Sequence, residues 1–376
     1  MKFVLIPDSF KGTLSSTQIC GIIKDKIEKH FPDAESISVP VADGGEGSVD
    51  AFLAAVGGTK EYVTVKNPYF EDMESYFGLI DQGETAVIEM ASCAGLPLVE
   101  DRKNPKLTTT YGVGQLILAA AQKGVKKMIV GLGGSSTNDG GCGAAAAVGI
   151  RFYDKEGKEF VPTGGTTGDI ARIDFSGKDK MLDNIEIITM CDIDNPMFGP
   201  TGASYVFGPQ KGADEKMVEE LDEGIQNLSR VIEQETGHNI SLIPGTGAAG
   251  AMGAGMIAFF DSRLQMGIQT VLDTVKFDSM IKDADYIFTG EGKLDSQSLR
   301  GKVVIGIAER AKKQDRAVIA VVGGADDSEI QKAYEMGVTA VFPINRLPQD
   351  FSVSRNYSEA NLGYTVDNIL RLLKNK

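Results

Sequence analysis

Glycines, hydroxyls, carboxylates and lysines cluster in a few short segments of this chain, and the densest cluster is residues 131–143, Gly-Leu-Gly-Gly-Ser-Ser-Thr-Asn-Asp-Gly-Gly-Cys-Gly. A buried-strand pattern at 127–131 precedes it, and an Ala-rich run at 144–148 that reads as helix follows it. Glycine lets a backbone approach an anion closely, and free N–H groups at a helix start point at it. The backbone of Gly133, Gly134, Ser135 and Ser136 is therefore a candidate phosphate cradle, with hydroxyls from Ser135, Ser136 and Thr137. Asp139 adds a carboxylate able to hold a metal. The pattern is neither the dinucleotide-binding G-x-G-x-x-G nor the Walker G-x-x-x-x-G-K-[ST]. Close helix–strand packing also requires small residues here, but it does not require the hydroxyls.

Five further segments carry reactive groups. Pro-Asp-Ser-Phe-Lys-Gly at 7–12 follows an apolar strand pattern, so Asp8, Ser9 and Lys11 sit where open α/β sheets bind ligands. Ala-Asp-Gly-Gly-Glu-Gly at 42–47 offers Asp43 and Glu46 as Mg²⁺ ligands or hydroxyl-positioning groups, and equally as caps of the next helix. Cys-Asp-Ile-Asp-Asn-Pro at 191–196 places Asp192 and Asp194 on one face of an extended chain. A carboxylate there can accept the proton of an attacking hydroxyl; the plainer reading is a turn before Pro196. Residues 289–302, Thr-Gly-Glu-Gly-Lys-Leu-Asp-Ser-Gln-Ser-Leu-Arg-Gly-Lys, bring Glu291, Asp295, Lys293, Ser298, Arg300 and Lys302 into one loop able to bind a metal–phosphate or a carboxylate. Phe-Gly-Pro-Gln-Lys-Gly at 207–212 adds Lys211, which either reaches a phosphate or simply precedes a helix. One chemistry unites these segments. Phosphoryl transfer needs positioning and charge neutralisation more than a nucleophile of the enzyme's own.

The elements that must position them alternate in type. Strand patterns at 2–6 and 36–40 alternate with helices at 15–30 and 47–56, with Ser15 and Ser16 as candidate N-caps. This βαβα order predicts a parallel sheet. From about residue 59 the pattern becomes short strands at 61–66, 74–81 and 85–90, as in an antiparallel meander. A helix at 109–122, a hairpin at 154–157, a strand at 185–190 and helices at 214–235 and 245–260 follow. Alternation returns with strands at 285–289, 317–322 and 340–343 and helices at 302–312, 328–336 and 358–373. The expected architecture is α/β with two domains. A Rossmann-like parallel-sheet domain is built from both chain ends (1–58 and 268–376), an α+β domain (59–267) is inserted, and the active site lies in the cleft.

Composition narrows the partners. The 376 residues carry a net charge of −14, which argues against a nucleic-acid partner, since no basic field exists to release counterions. No apolar stretch approaches the ~18 residues a membrane span needs. The start reads as a strand rather than a signal peptide. The four cysteines lack C-x-x-C spacing and read as reduced cytosolic thiols. The two histidines, His30 and His238, lie far from every Gly-rich segment, which argues against a His-based triad or zinc site.

Six segments in the same order resemble the bacterial glycerate kinases of the first type: P-D-S-F-K, V-A-D-G-G-E-G, G-G-S-S-T-N-D-G-G, C-D-I-D-N-P, F-G-P-Q-K-G-A and T-G-E-G-K-L-D-S-Q-S-L-R-G-K. The match runs nearly end to end. Ser136 stands where Ala is common, and Ile193 and Met197 vary apolar positions; no acid, lysine or glycine of the motifs is lost. The resemblance implies ATP-dependent, Mg²⁺-requiring phosphorylation of D-glycerate. Its usual product is 2-phosphoglycerate, with 3-phosphoglycerate the alternative. It also implies a two-domain α/β structure and a cytoplasmic enzyme, monomer or homodimer. On that expectation Asp192 accepts the hydroxyl proton, and Asp8, Lys11 and Lys293 are the other catalytic groups. Gly133, Gly134, Ser135, Ser136, Thr137, Lys211 and Lys302 bind the nucleotide. Ser9, Asp194, Ser298 and Arg300 bind the acceptor, and Asp43, Glu46, Glu291 and Asp295 hold Mg²⁺. Two other readings remain: a kinase of another small hydroxy acid, and a regulatory protein that binds a phosphorylated metabolite. The abundance of loop carboxylates argues against the second, because binding alone needs cations and N–H donors.

Overall fold

Runs of apolar, β-branched residues between charged or glycine-rich turns form the strands of this chain. A computed structural model describes residues 1–41 and 44–375. The chain divides into two compact units. One comprises Met1–Ala42, Ala54–Val56 and Met266–Lys376; the other comprises Asp43–Leu53 and Gly57–Gln265.

The unit built from both chain ends holds a five-stranded sheet. Its order is Ala340–Pro343, Ala317–Val322, Tyr286–Thr289, Lys2–Leu5, Glu35–Ser38, and all neighbours are parallel. Numbered along the chain this is 5-4-3-1-2, a doubly wound order. Phe3, Val4, Leu5, Ile287 and Phe288 are fully buried, as expected of central strands covered on both faces. Helix Ser16–His30 begins at a capping box, in which Gln18 N donates to Ser15 Oγ and Ser15 N to Gln18 Oε1. It packs against the last helix, Ser358–Lys374, around Ile19, Ile23, Leu362 and Val366. His30 Nε2 lies 2.8 Å from Asp367 Oδ1 across these two helices. Arg371 and His30 together hold the Asp367 carboxyl well below its ordinary value. His30 is therefore an interhelical tie.

The second unit holds a six-stranded mixed sheet of order Arg263–Gln265, Glu186–Met190, Lys127–Gly131, Thr85–Glu89, Asp72–Ile80, Thr59–Lys66. The first four strands are parallel and the last two antiparallel. The expected meander is thus present in two pairings, but Thr85–Glu89 passes into the parallel sheet. All five of its residues are buried, so it has no solvent face to alternate against. A small three-stranded sheet centres on Arg151–Tyr153. The long amphipathic helix runs Glu215–Thr236, capped by Asp214 and closed by left-handed Gly237.

Three features depart from the sequence reading. Residues 44–53 and 57–58 go with the inserted unit rather than with the first, whose expected limit was residue 58. Val49 N donates to the fully buried Glu89 Oε2 at 3.1 Å, which fixes the start of helix Ser48–Val56 to that unit. The helix expected from 245 runs Ala248–Phe260, and its first turn contains left-handed Ala249, Gly250 and Ala251. Only glycine fits at 250, where a Cβ would lie 2.1 Å from Thr137 O. Strand Arg263–Gln265 and helix Gly267–Thr274 were not anticipated, being too short to establish a period. Among the described residues, no helix is long and apolar enough to cross a membrane.

Candidate active site

The direction of winding in the five-stranded sheet reverses between Lys2–Leu5 and Tyr286–Thr289. Ligands of open α/β sheets bind beyond the carboxyl ends of strands at such a reversal. A cavity of about 590 Å³ opens there. It is lined by loops that follow four of the strands, including Asp8, Ser9, Lys11, Glu291, Lys293, Asp295, Ser298 and Lys302. Main-chain bonds stitch these loops to one another. Asp8 N donates to Gly290 O at 2.8 Å, Leu294 N to Gly324 O at 2.9 Å, Gly323 N to Glu291 O at 3.1 Å and Asp326 N to Leu294 O at 2.9 Å. The floor is therefore organised before any ligand arrives.

Side chains on this floor are unequal. Glu291 is 8% exposed, and its buried Oε1 has no hydrogen-bond partner. Burial pushes its carboxyl up to about 7; Asp8 and Asp295 add to that, while a hydrogen bond from Ser298 and the Lys302 charge oppose it. Asp295 Oδ1 accepts from Gln297 N at 2.8 Å and Ser298 N at 3.3 Å, closing the turn that follows. Ser298 is 2% exposed, accepts from Asp295 N at 3.1 Å and donates to Lys293 O at 3.3 Å. It braces the loop and also lines the cavity, where a substrate contact was expected of it. Lys293 Nζ pairs with Asp326 at 2.8 Å, which holds its ammonium above the ordinary value. Lys302 Nζ donates to Gln297 Oε1 at 3.1 Å and precedes helix Val303–Lys312. Lys11 sits exposed in a tight turn between Phe10 and Leu14, and Arg300 is exposed on the loop surface.

The second unit holds the other expected residues, and there the glycine-rich segment departs from expectation. Gly133 N donates to Gly44 O at 2.9 Å, and Ser136 N to Ala94 O at 2.9 Å. Ser136 Oγ also donates to Ala94 O. Four free N–H groups do not face a ligand; those of Gly134 and Ser135 are without partners among the described residues. A Cβ on Gly133 would lie 2.6 Å from Gly45 Cα, so close backbone packing requires that glycine. Asp139 is fully buried and accepts from Thr110 N, Thr110 Oγ1, Gly141 N and Gly143 N, which leaves no carboxylate for a metal. Helix Cys142–Ala147 follows the segment.

Lys211 is 1% exposed and donates to Thr137 O at 2.7 Å. Burial pushes its ammonium down to about 7 against the opposing charge of Asp139. It reaches the glycine-rich segment from within the unit and is not presented to solvent. Thr137 is fully buried as well. Asp192 is half-buried and Asp194 exposed, both in irregular chain after strand Glu186–Met190. Glu46 is exposed, and Asp43 lies outside the described residues. Among the described residues, no three acids, cysteines or histidines are gathered as a ready metal cage.

Sequence reasoning missed part of the cavity. Gly323, Gly324, Ala325, Ile344, Asn345 and Phe351 line it. The signal was present, because both parent strands were expected and the rule placing ligands beyond their carboxyl ends applies to them too.

The glycerate kinase family model matches residues 3–374. The chain is 43% identical over 375 residues to a glycerate kinase of Bacillus cereus, covering 100% of this chain and 98% of that one. It is 41% identical over 345 residues to the glycerate 2-kinase of Escherichia coli, covering 92% and 90%. A Salmonella typhimurium crystal structure assigned to glycerate kinase 2 superposes with a TM-score of 0.87 at 37% identity, covering 100% of this chain and 98% of that one. By sequence and by fold, the chain belongs to the glycerate kinase family and is a kinase enzyme.

Proposed function

We propose that the enzyme transfers the terminal phosphoryl group of ATP to the 2-hydroxyl of D-glycerate, giving 2-phosphoglycerate and ADP. The observation that carries this reading is the cavity at the sheet reversal. Three lysines and three carboxylates converge on it, and one carboxylate keeps a buried oxygen without a partner. The Escherichia coli relative, named a glycerate 2-kinase, supports the choice of hydroxyl.

Lys11 and Lys302 neutralise phosphate oxygens, and Lys293 joins them when its exposed pair with Asp326 opens. Asp192 accepts the hydroxyl proton. Gly134 and Ser135 offer their N–H groups to an anion, and Ser9, Asp194 and Arg300 contact the acceptor. The donor set suits Mg²⁺: Glu291 Oε1 is an unpartnered hard oxygen flanked by Asp8 and Asp295. A ready cage is not required, since Mg²⁺ takes one or two carboxylates and completes its shell with phosphate and water. When bound, the ion supplies charge neutralisation at the transferring group. The reading places the enzyme in the cytoplasm, consistent with its free cysteines.

The test is incubation of purified protein with D-glycerate, ATP and Mg²⁺, with products read by ³¹P NMR. A 2-phosphoglycerate resonance is expected. A 3-phosphoglycerate resonance would reverse the hydroxyl assignment, and no phosphorylated acid from folded protein would overturn the reading.

A further inference from the structure

Residues that kinase chemistry does not explain line one end of the same cavity. Asp8 and Lys11 follow strand Lys2–Leu5, and Glu291, Lys293, Asp295 and Lys302 follow its neighbour, the central strand Tyr286–Thr289. Gly323–Ala325 follow the next strand, and Ile344 and Asn345 follow the edge strand Ala340–Pro343. The lining therefore changes from charged to largely uncharged as it crosses the sheet. Three strand spacings of ~4.8 Å separate the first strand from the edge, a reach of roughly 14 Å. That reach suits a bent nucleoside triphosphate better than a three-carbon acid. A three-carbon acid would leave most of the 590 Å³ empty.

The uncharged end carries two groups suited to a base. Phe351 lines the cavity yet is 60% exposed, with an aromatic face open apart from Arg355 at 6.0 Å. Such a face at a cavity mouth is a stacking platform. Asn345 Nδ2 donates to Gly323 O at 2.8 Å, which holds the amide at the cavity and leaves its Oδ1 as the group able to accept. An acceptor there pairs with the exocyclic amine of adenine and opposes the carbonyl that guanine carries at the same position.

We propose that this cavity is the nucleotide site, with adenine stacked on Phe351, its amine on Asn345 Oδ1, and the phosphates running along the sheet ends to Lys11 and Lys302. The proposal rests on the kinase reading for the identity of the nucleotide. It moves nucleotide recognition from the glycine-rich segment of the inserted unit to the doubly wound unit.

The test combines calorimetric binding of ATP and GTP to the full chain, without D-glycerate, with steady-state kinetics. Phe351→Ala should weaken ATP binding and raise KM for ATP roughly tenfold, with KM for D-glycerate within twofold. Asn345→Leu should lower the ATP-to-GTP preference in kcat/KM by about tenfold. Both side chains are exposed, so the variants fold. A shift in KM for D-glycerate with ATP binding unmoved would overturn the proposal, and so would two variants that bind ATP as the wild type does. ATP binding that weakens in Phe351→Ala, in a protein that makes no phosphoglycerate, supports the site and sinks the kinase reading alone.

Discussion

Two glycine-rich regions leave strand ends in this chain, and they use their polar groups in opposite ways. In residues 131–143 the fold itself uses the N–H groups of Gly133 and Ser136, the carboxylate of Asp139 and, through Thr137 O, the ammonium of Lys211. In the loops after Lys2–Leu5 and Tyr286–Thr289, main-chain bonds stitch backbone to backbone and leave side chains facing a cavity. Glycine density alone therefore does not separate a ligand cradle from a packing joint. The deciding quantity is how many polar groups remain unpaired after the fold has formed.

The largest effect should come from the joint. Asp139→Ala strips the acceptor from three buried N–H groups, those of Thr110, Gly141 and Gly143. It should cost about 4 kcal/mol of stability, read from the urea midpoint. A loss under about 1 kcal/mol would mean the carboxylate is not the staple of that turn. Next, Glu291→Gln should lower kcat about 100-fold while leaving the melting temperature equal or higher, because a neutral amide removes a buried charge beside Asp8 and Asp295. A variant that turns over within twofold of wild type would remove Glu291 from the chemistry.

A matched pair of glycines sharpens the contrast. Gly133→Ala should cost about 2 kcal/mol, since backbone at 2.6 Å cannot yield. Gly292→Ala, whose nearest atom would be 3.5 Å away, should cost under about 0.5 kcal/mol. Equal costs would erase the distinction between joint and cavity.

A further effect, smaller than that of the joint, is a pH slope. The Lys211 ammonium titrates near 7 when folded and near 10.5 when unfolded. Between those values the unfolded chain binds the extra proton, so this group makes stability rise with pH. Below 7 both states are protonated and the full penalty of the buried charge applies. The rise from pH 7 to 9 should be on the order of 1–2 kcal/mol. Lys211→Met should flatten that part of the profile, and parallel profiles for the two proteins would show that the lysine does not titrate there.

Much of the architecture was legible because strand patterns such as 2–6 and 317–322 are short continuous apolar runs between turn signals, as buried parallel strands are. Helix 215–236 was legible from its amphipathic period, and the structure shows Asp214 as its cap. The candidate site was half legible. Asp8, Lys11, Glu291 and Lys302 follow strands and do line one cavity, but Ser298 and Asp295 were read as ligands when they also hold their own loop. Asp139 was read as a metal carboxylate because one-dimensional spacing does not reveal that Thr110, 29 residues earlier, donates to it. Phe351 and Asn345 lie in charged, irregular surroundings that carry no motif at all.

Local order and chemical inventory were determined by the sequence itself: which runs become strands and helices, and which loops carry acids and lysines. Those depend on periodicity and residue type within a dozen positions. Pairing was decided by the tertiary structure alone. It consumed two donors of the glycine-rich turn, the N–H groups of Gly133 and Ser136, and left Glu291 Oε1 buried without a partner. It also turned Lys211 inward onto a carbonyl 74 residues away in the chain. The physical reason is that hydrogen-bond satisfaction and burial are properties of packed neighbours, which are set by long-range contacts and have no fixed spacing along the chain.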